Sequence, residues 1–389
     1  MIDKMDFSHI LTDPYTLTLA VVMVASMAIL CLHYGIFHCR VGHYKGPSGG
    51  KKKAAGTGVC PPVSVVLTAQ NDAQWLKTNL VYLLEQDYPD FEVVVVDYMS
   101  RDETRFVLKI LSENYSNLKV VHLDENVNGY RGKKYPMSIG IKSAKNDILV
   151  FADPNCRPMD LTGFGWLREM VAGYANAKTE AVLGYCGIGP GKGPFGWLQQ
   201  YDNLEYSVGY LGAAIMHHPF TGNGRNLSYR RSMFMRRRGF IYHYSIADGA
   251  DDMFVNQNCN GNNTQVVLSE GSFTMVEPAK TVAQWRSYRR HRMATHRYYS
   301  LGLKLLRLLR PCSVVLFYLS GALLLVAGTM PWVVLAGALL AKLAWQIVAT
   351  RQAAARLAVR PVVYWLSPLL EIYFVVANTI LSVTPLPKK

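Results

Sequence analysis

The chain has 389 residues, 50% of them hydrophobic and 17% charged, with a formal net charge of +14. Its seven cysteines (31, 39, 60, 156, 186, 259, 312) are odd in number, scattered and without a CxxC pair, which argues against a disulfide framework and against a structural zinc site. The positive charge sits in clusters, "KKK", "RR", "RRR" and "RSYRRHR", which suit anionic lipid headgroups or a phosphate-bearing ligand; flanked by apolar segments, they do not point to nucleic acid.

The first element is the apolar run "YTLTLAVVMVASMAILCLHYGIF", about 23 residues, enough at a 1.5 Å rise to cross roughly 30 Å of hydrocarbon. Asp3, Asp6 and Asp13 precede it, whereas a cleaved signal peptide starts basic and has a shorter core, so a retained anchor is expected. Arg40, Lys45 and Lys51 to Lys53 follow and place the next segment in the cytoplasm by the positive-inside rule. "GPSGGKKKAAGTGVCPP" then reads as a linker.

Four strands are expected after Pro61: "VSVVLTAQN", "FEVVVVDYMSRDET", "LKVVHLDEN" and "ILVFAD", with helical pattern running to about Gln86, near 102 to 115 and near 135 to 144. Strands alternating with helices imply parallel βαβ units, whose ligands bind at the carboxyl ends of the strands. Asp97 and Asp153 stand at two such ends. A lone acid there is as readily a helix cap as a ligand, but two together favour a site.

Further on, "RSYRRHRMATHRYYSLGLKLLRLLR" (286 to 310) mixes cations, aromatics and leucines, the composition of an interfacial helix. Three apolar candidate spans come after it, and Lys342 in the second leaves room for half of a re-entrant hairpin. "GPGKGPFG" lacks Walker A spacing, and the adjacent His217 and His218 are not a helical metal pair; both read as loops. The sequons at Asn114, Asn226 and Asn262 lie in a segment expected to be cytoplasmic and unmodified.

The motifs "PPVSVVLTAQND", "VVVVDYMSRDET", "GKKYPMSIGIKSAKNDILVFADPNCRP", "TGNGRNLSYRR", "GADDMFV" and "WRSYRRHR", in that order over about residues 60 to 295, resemble those of a family 2 glycosyltransferase. The resemblance implies an α/β fold, a GT-A (Rossmann-like) mixed-sheet domain flanked by transmembrane helices. The expected parts are an N-terminal anchor at 1–45, a basic Gly/Pro linker at 46–60, the GT-A domain at 61–284, an amphipathic interfacial helix at 285–310 and C-terminal transmembrane helices at 311–389.

By the same resemblance, Thr68, Ala69, Gln70 and Asp97 frame the base and ribose of a nucleotide-diphosphate sugar, with Tyr98 standing where the family often has a second acid. Lys133 and Lys134 neutralise the diphosphate. Asp153 matches the first acid of the DxD motif and also contacts the nucleotide; Asn155 replaces the second. A hard cation, Mg²⁺ or Mn²⁺, wants oxygen ligands there, and an amide brings no charge, so a weakened metal site is expected. Asp251 and Asp252 match the acidic pair whose second member is the general base. "SYRRH" stands for QxxRW, with Arg290 on the leaving group and His291 in place of Trp. Gly222 and Gly224 lie in the acceptor segment, where small residues let backbone approach a sugar.

The implied function is inverting transfer of a sugar from a nucleotide-diphosphate donor to a lipid-linked or saccharide acceptor, within polysaccharide biosynthesis. It implies a multi-pass protein of a bacterial inner membrane with a cytoplasmic catalytic domain, partnered by membrane lipids and not by nucleic acid. A second class stays open: the departures at Tyr98, Asn155 and "SYRRH" also suit a degenerate domain kept as a binding or assembly partner. A processive synthase is disfavoured, because such members carry more spans and an intact QxxRW.

Overall fold

The structure is a computed structural model that describes residues 13–46, 60–126, 132–160 and 165–383. Most of the expected linker therefore lies outside the described residues. The chain divides into two compact units. One comprises Tyr44–Arg297 with Leu357–Val359, and the other gathers the helices before His43 and after Tyr298.

The α/β unit begins with β1 (Val63–Ala69), β2 (Phe91–Tyr98), β3 (Leu118–Leu123) and β4 (Ile148–Phe151). They are the four expected strands. The helices between them are Ala73–Leu84, Thr104–Asn114 and Lys134–Ser143. All pairings among these strands are parallel, with β1 between β2 and β4 and β2 against β3. Helices cover both faces of such a sheet, so its strands are continuous apolar runs. Val93 to Val96 of β2 are completely buried, and full burial of a valine stabilises by roughly 1.5–3 kcal/mol.

After β4 come β5 (Cys156–Pro158), β6 (Ala181–Leu183), β7 (Cys186–Ile188), β8 (Leu227–Arg230), β9 (Thr264–Val266) and β10 (Thr274–Val276). The main sheet has the order β3-β2-β1-β4-β8-β6-β9, and β5-β10-β7 form a small second sheet. β8 runs antiparallel to β4, with Leu227 opposite Phe151. That register brings the chain just before β8 to the carboxyl end of β4, where Asp153 stands. The sheet is thus mixed, as expected.

The cationic stretch 285–310 is not one helix. Val282–Ala294 belongs to the α/β unit and stops at Thr295, while Leu301–Ala327 is a separate 27-residue helix. Ser300 starts the second, its hydroxyl accepting from the Leu303 amide at 3.4 Å.

In the helical unit, Pro14–Gly42, Leu301–Ala327 and Trp332–Arg356 are long and apolar enough to cross a membrane. The fourth expected span is divided into Pro361–Trp365 and the 17-residue Ser367–Val383. Pro368 explains the division, because it has no amide to continue the helix and its ring crowds the preceding turn.

Candidate active site

The carboxyl ends of the parallel strands gather the first set of side chains. Asp97 is the last residue but one of β2, beside Ala69 of β1 and His122 of β3 in the strand register. Its carboxylate is 1% exposed; Oδ2 lies 2.9 Å from His122 Nδ1 and 3.6 Å from Arg105 Nε. Oδ1 has no hydrogen-bond partner among the described residues. A buried, unsatisfied acceptor is costly unless a ligand hydroxyl or amide completes it. Thr68 and Ala69 are buried at the neighbouring strand end, and the exposed Gln70 donates its amide to Asp72 Oδ2 at 2.9 Å.

Asp153, just past β4, is held between two cations. Lys133 Nζ stands 2.7 Å from Oδ1 and Arg225 Nε 3.1 Å from Oδ2. Burial alone would raise this carboxyl, but the lysine and the guanidinium outweigh it and hold the group well below the usual carboxylate range. Asn155 Oδ1 is buried without a hydrogen-bond partner among the described residues. An orphaned amide oxygen near a carboxylate fits a hard cation that takes few ligands from the protein and the rest from phosphate and water. No group of three or more His, Cys, Asp or Glu side chains suited to a metal ion occurs among the described residues.

The acidic pair opens the helix Asp252–Asn258. Asp251 Oδ2 accepts the Gly224 amide at 2.7 Å, and buried Asp252 accepts the Thr295 hydroxyl. Gly224 precedes Arg225, so a chain of direct contacts runs from Lys133 through Asp153 and Arg225 to Gly224 and Asp251. The helix Val282–Ala294 joins this group, because His291 Nδ1 lies 3.0 Å from Asp248 Oδ1. Arg290 Nε on the same helix is buried with no hydrogen-bond partner among the described residues.

One sequence expectation needs correction. Lys134 does not face the donor site: its ammonium is fully buried and donates to the carbonyls of His243, Ile246 and Asp248. Burial draws it down to about 8. Successive residues at a helix start point in different directions, so adjacent lysines cannot serve one ligand alike. Gly222 and Gly224 are both closely packed. A Cβ on Gly224 would lie 2.8 Å from Asp251 Oδ2, and one on Gly222 would lie 3.1 Å from Val255 Cγ2, so the protein's own packing favours a small residue at both positions.

Arg225, His122 and Thr295 were not singled out from the sequence. Arg225 lies inside "TGNGRNLSYRR", and only the β4–β8 register shows that it meets Asp153. Thr295 and His122 carry no motif at all.

The mixed main sheet, with its helices and the small second sheet, has the GT-A fold. Residues 64–240, somewhat under half of the chain, match the model described as glycosyl transferase family 2. Among curated relatives, glycosyltransferase AglE of Haloferax volcanii is 30% identical over 33% of this chain and 40% of its own length. The amylovoran biosynthesis glycosyltransferase AmsB of Erwinia amylovora is 35% identical over 23% of this chain and 29% of its own. The chain thus spans less than half the length of either. Among solved structures, the mannosyltransferase PcManGT of Pyrobaculum calidifontis, in complex with GDP-Man and Mn²⁺, is similar over 93% of this chain and 96% of its own, with a TM-score of 0.60 and 20% identity.

Proposed function

We propose that the protein transfers a sugar, with inversion, from a nucleotide-diphosphate donor to a hydroxyl of a lipid-linked or saccharide acceptor at the cytoplasmic membrane face. The observation that carries this reading is the unbroken contact chain from Lys133 and Asp153 through Arg225 to Asp251. It joins a group suited to a diphosphate with a group suited to an acceptor proton. The GDP-Man of the Pyrobaculum mannosyltransferase supports the donor class. The apolar helices and the basic residues Arg40, in the last turn of the first of them, and Lys45, just past it, support the location.

In this mechanism Asp97 Oδ1 accepts from the nucleoside, with Thr68 to Gln70 beside it. Lys133, Arg225 and Arg290 offset the charge that grows on the diphosphate as the anomeric C–O bond breaks. Asp252 takes the proton of the acceptor hydroxyl as its oxygen bonds to the anomeric carbon from the opposite side, and Asp251 holds the acceptor segment through Gly224. Asp153 and Asn155 would hold Mg²⁺ or Mn²⁺, which when bound supplies further positive charge to the diphosphate.

The test uses the full chain in detergent, with GDP- and UDP-sugars, a membrane extract as acceptor source, and Mn²⁺ present or absent. Asp252→Asn is expected to bind the nucleotide normally and to lose turnover by roughly 10²- to 10⁴-fold, the range for removal of a general base. Unchanged turnover in that variant defeats the reading.

A further inference from the structure

The first turn of the helix Lys134–Ser143 faces two ways. Lys133 reaches Asp153 at 2.7 Å, on the donor side. Lys134 is 0% exposed, and its Nζ donates to His243 O at 2.8 Å, Ile246 O at 2.6 Å and Asp248 O at 2.7 Å. An ammonium has three donors and no acceptor, so these three carbonyls use it completely. All three belong to the segment that leads into Asp251 and Asp252.

A second contact brings the same two segments together. Gly132 has φ +81°, and a Cβ there would lie 2.0 Å from Ala247 O, so no other residue fits. Past the clamp the segment stays tightly constrained. A Cβ on Gly249, at φ +87°, would lie 2.7 Å from Met253 Cγ and 2.9 Å from Thr295 Cγ2. Asp248 meets His291, and Asp251 meets the Gly224 amide. Nothing in this arrangement leaves Lys134 able to touch a substrate.

We infer that Lys134 is a positioning residue for the Asp251–Asp252 pair, clamping residues 243–248 to the helix start that sets Lys133 against Asp153. The donor side and the proton-accepting side are thereby held in one register by two adjacent lysines. The charge is needed because three carbonyl dipoles converge on one point; methionine fills the same length but leaves all three unanswered. The inference rests on the transferase reading above for its effect on turnover, and on geometry alone for its effect on the loop.

The experiment compares the full chain with Lys134→Met and with Lys134→Gln, which keeps two of the donors. Three quantities are read: hydrogen–deuterium exchange of the 244–252 amides, nucleotide affinity, and kcat with donor KM. Lys134→Met is expected to speed exchange in that segment at least tenfold, to keep nucleotide affinity and KM within threefold, and to lower kcat about a hundredfold, with Lys134→Gln between it and the native chain. A purely structural role would shift unfolding without splitting kcat from KM. Exchange in 244–252 that matches the native chain in both variants overturns the inference, whatever the turnover. If exchange rises while native turnover proves indifferent to Asp252→Asn, the clamp stands and the transferase reading falls.

Discussion

His243 shows how a single residue can store a pH response. It is 1% exposed; Nδ1 lies 2.8 Å from Gln257 Oε1, and Nε2 has no hydrogen-bond partner among the described residues. The pair is satisfied by a neutral ring donating from Nδ1, and protonation at Nε2 would bury an unpaired N–H beside the Lys134 ammonium. Burial first, then that lysine, pull its pKa down to about 4, against a weaker opposing effect from Gln257. An unfolded histidine titrates near 6.5, so between pH 6.5 and 4 the unfolded chain binds a proton that the folded chain does not. Stability contributed by the neutral ring is therefore full above about pH 6.5 and falls as the pH drops, by up to about 1.4 kcal/mol per unit. His243→Asn should flatten the thermal-unfolding curve against pH over this window. Coincident slopes in the two proteins would show that the ring is not held neutral.

At the scale of elements, the site depends on how β8 is approached. Because β8 runs antiparallel to β4, the segment Gly222–Arg225 that leads into it reaches the carboxyl end of β4, where the Gly224 amide meets Asp251 and the Arg225 side chain meets Asp153. Gly224→Ala is compatible with the backbone, since its φ is not positive, but the new Cβ would stand 2.8 Å from Asp251 Oδ2 and 3.2 Å from Asp251 Cγ. Asp251 must move, and overpacking of this kind costs about 1–3 kcal/mol. Turnover should fall by roughly 10²-fold, since displacing a group by about 1 Å has that effect. Nucleotide affinity, measured by titration, should change little. An equal loss of affinity and turnover would place the damage on the donor side instead.

At the scale of the whole molecule, the helical unit has its own buried charge. Glu371 Oε1 accepts Arg310 Nη2 at 3.1 Å and the Tyr34 hydroxyl, and Oε2 accepts Lys342 Nζ at 2.6 Å. These four residues come from four different helices. Lys342, which from sequence alone leaves room for half of a re-entrant hairpin, sits within one continuous 25-residue helix, and a carboxylate from another helix answers it. Removing one partner of a buried ion pair costs about 3–5 kcal/mol, because a charge is left unanswered. Glu371→Gln should therefore lower the melting temperature of the detergent-solubilised protein by roughly 10 °C. A shift within about 2 °C would mean that the cluster contributes little.

The sequence by itself determined the four parallel strands and the acids that stand near their ends. The four parallel strands stood out because buried strands are continuous apolar runs, and the acids at their ends stood out because a polar group closing such a run has few reasons to be there. Asp97, Asp153 and the Asp251–Asp252 pair could be named from that pattern and from the order of motifs. Which neighbours answer them was decided only by tertiary structure, because antiparallel register and helix rotation are not written in local composition. The β4–β8 register made Arg225 a partner of Asp153. The turn at the start of the helix Lys134–Ser143 sent two identical side chains to opposite duties. Likewise, the cationic stretch that reads as one interfacial helix is divided at Thr295, whose hydroxyl is taken by Asp252, a contact forty-three residues distant in the chain.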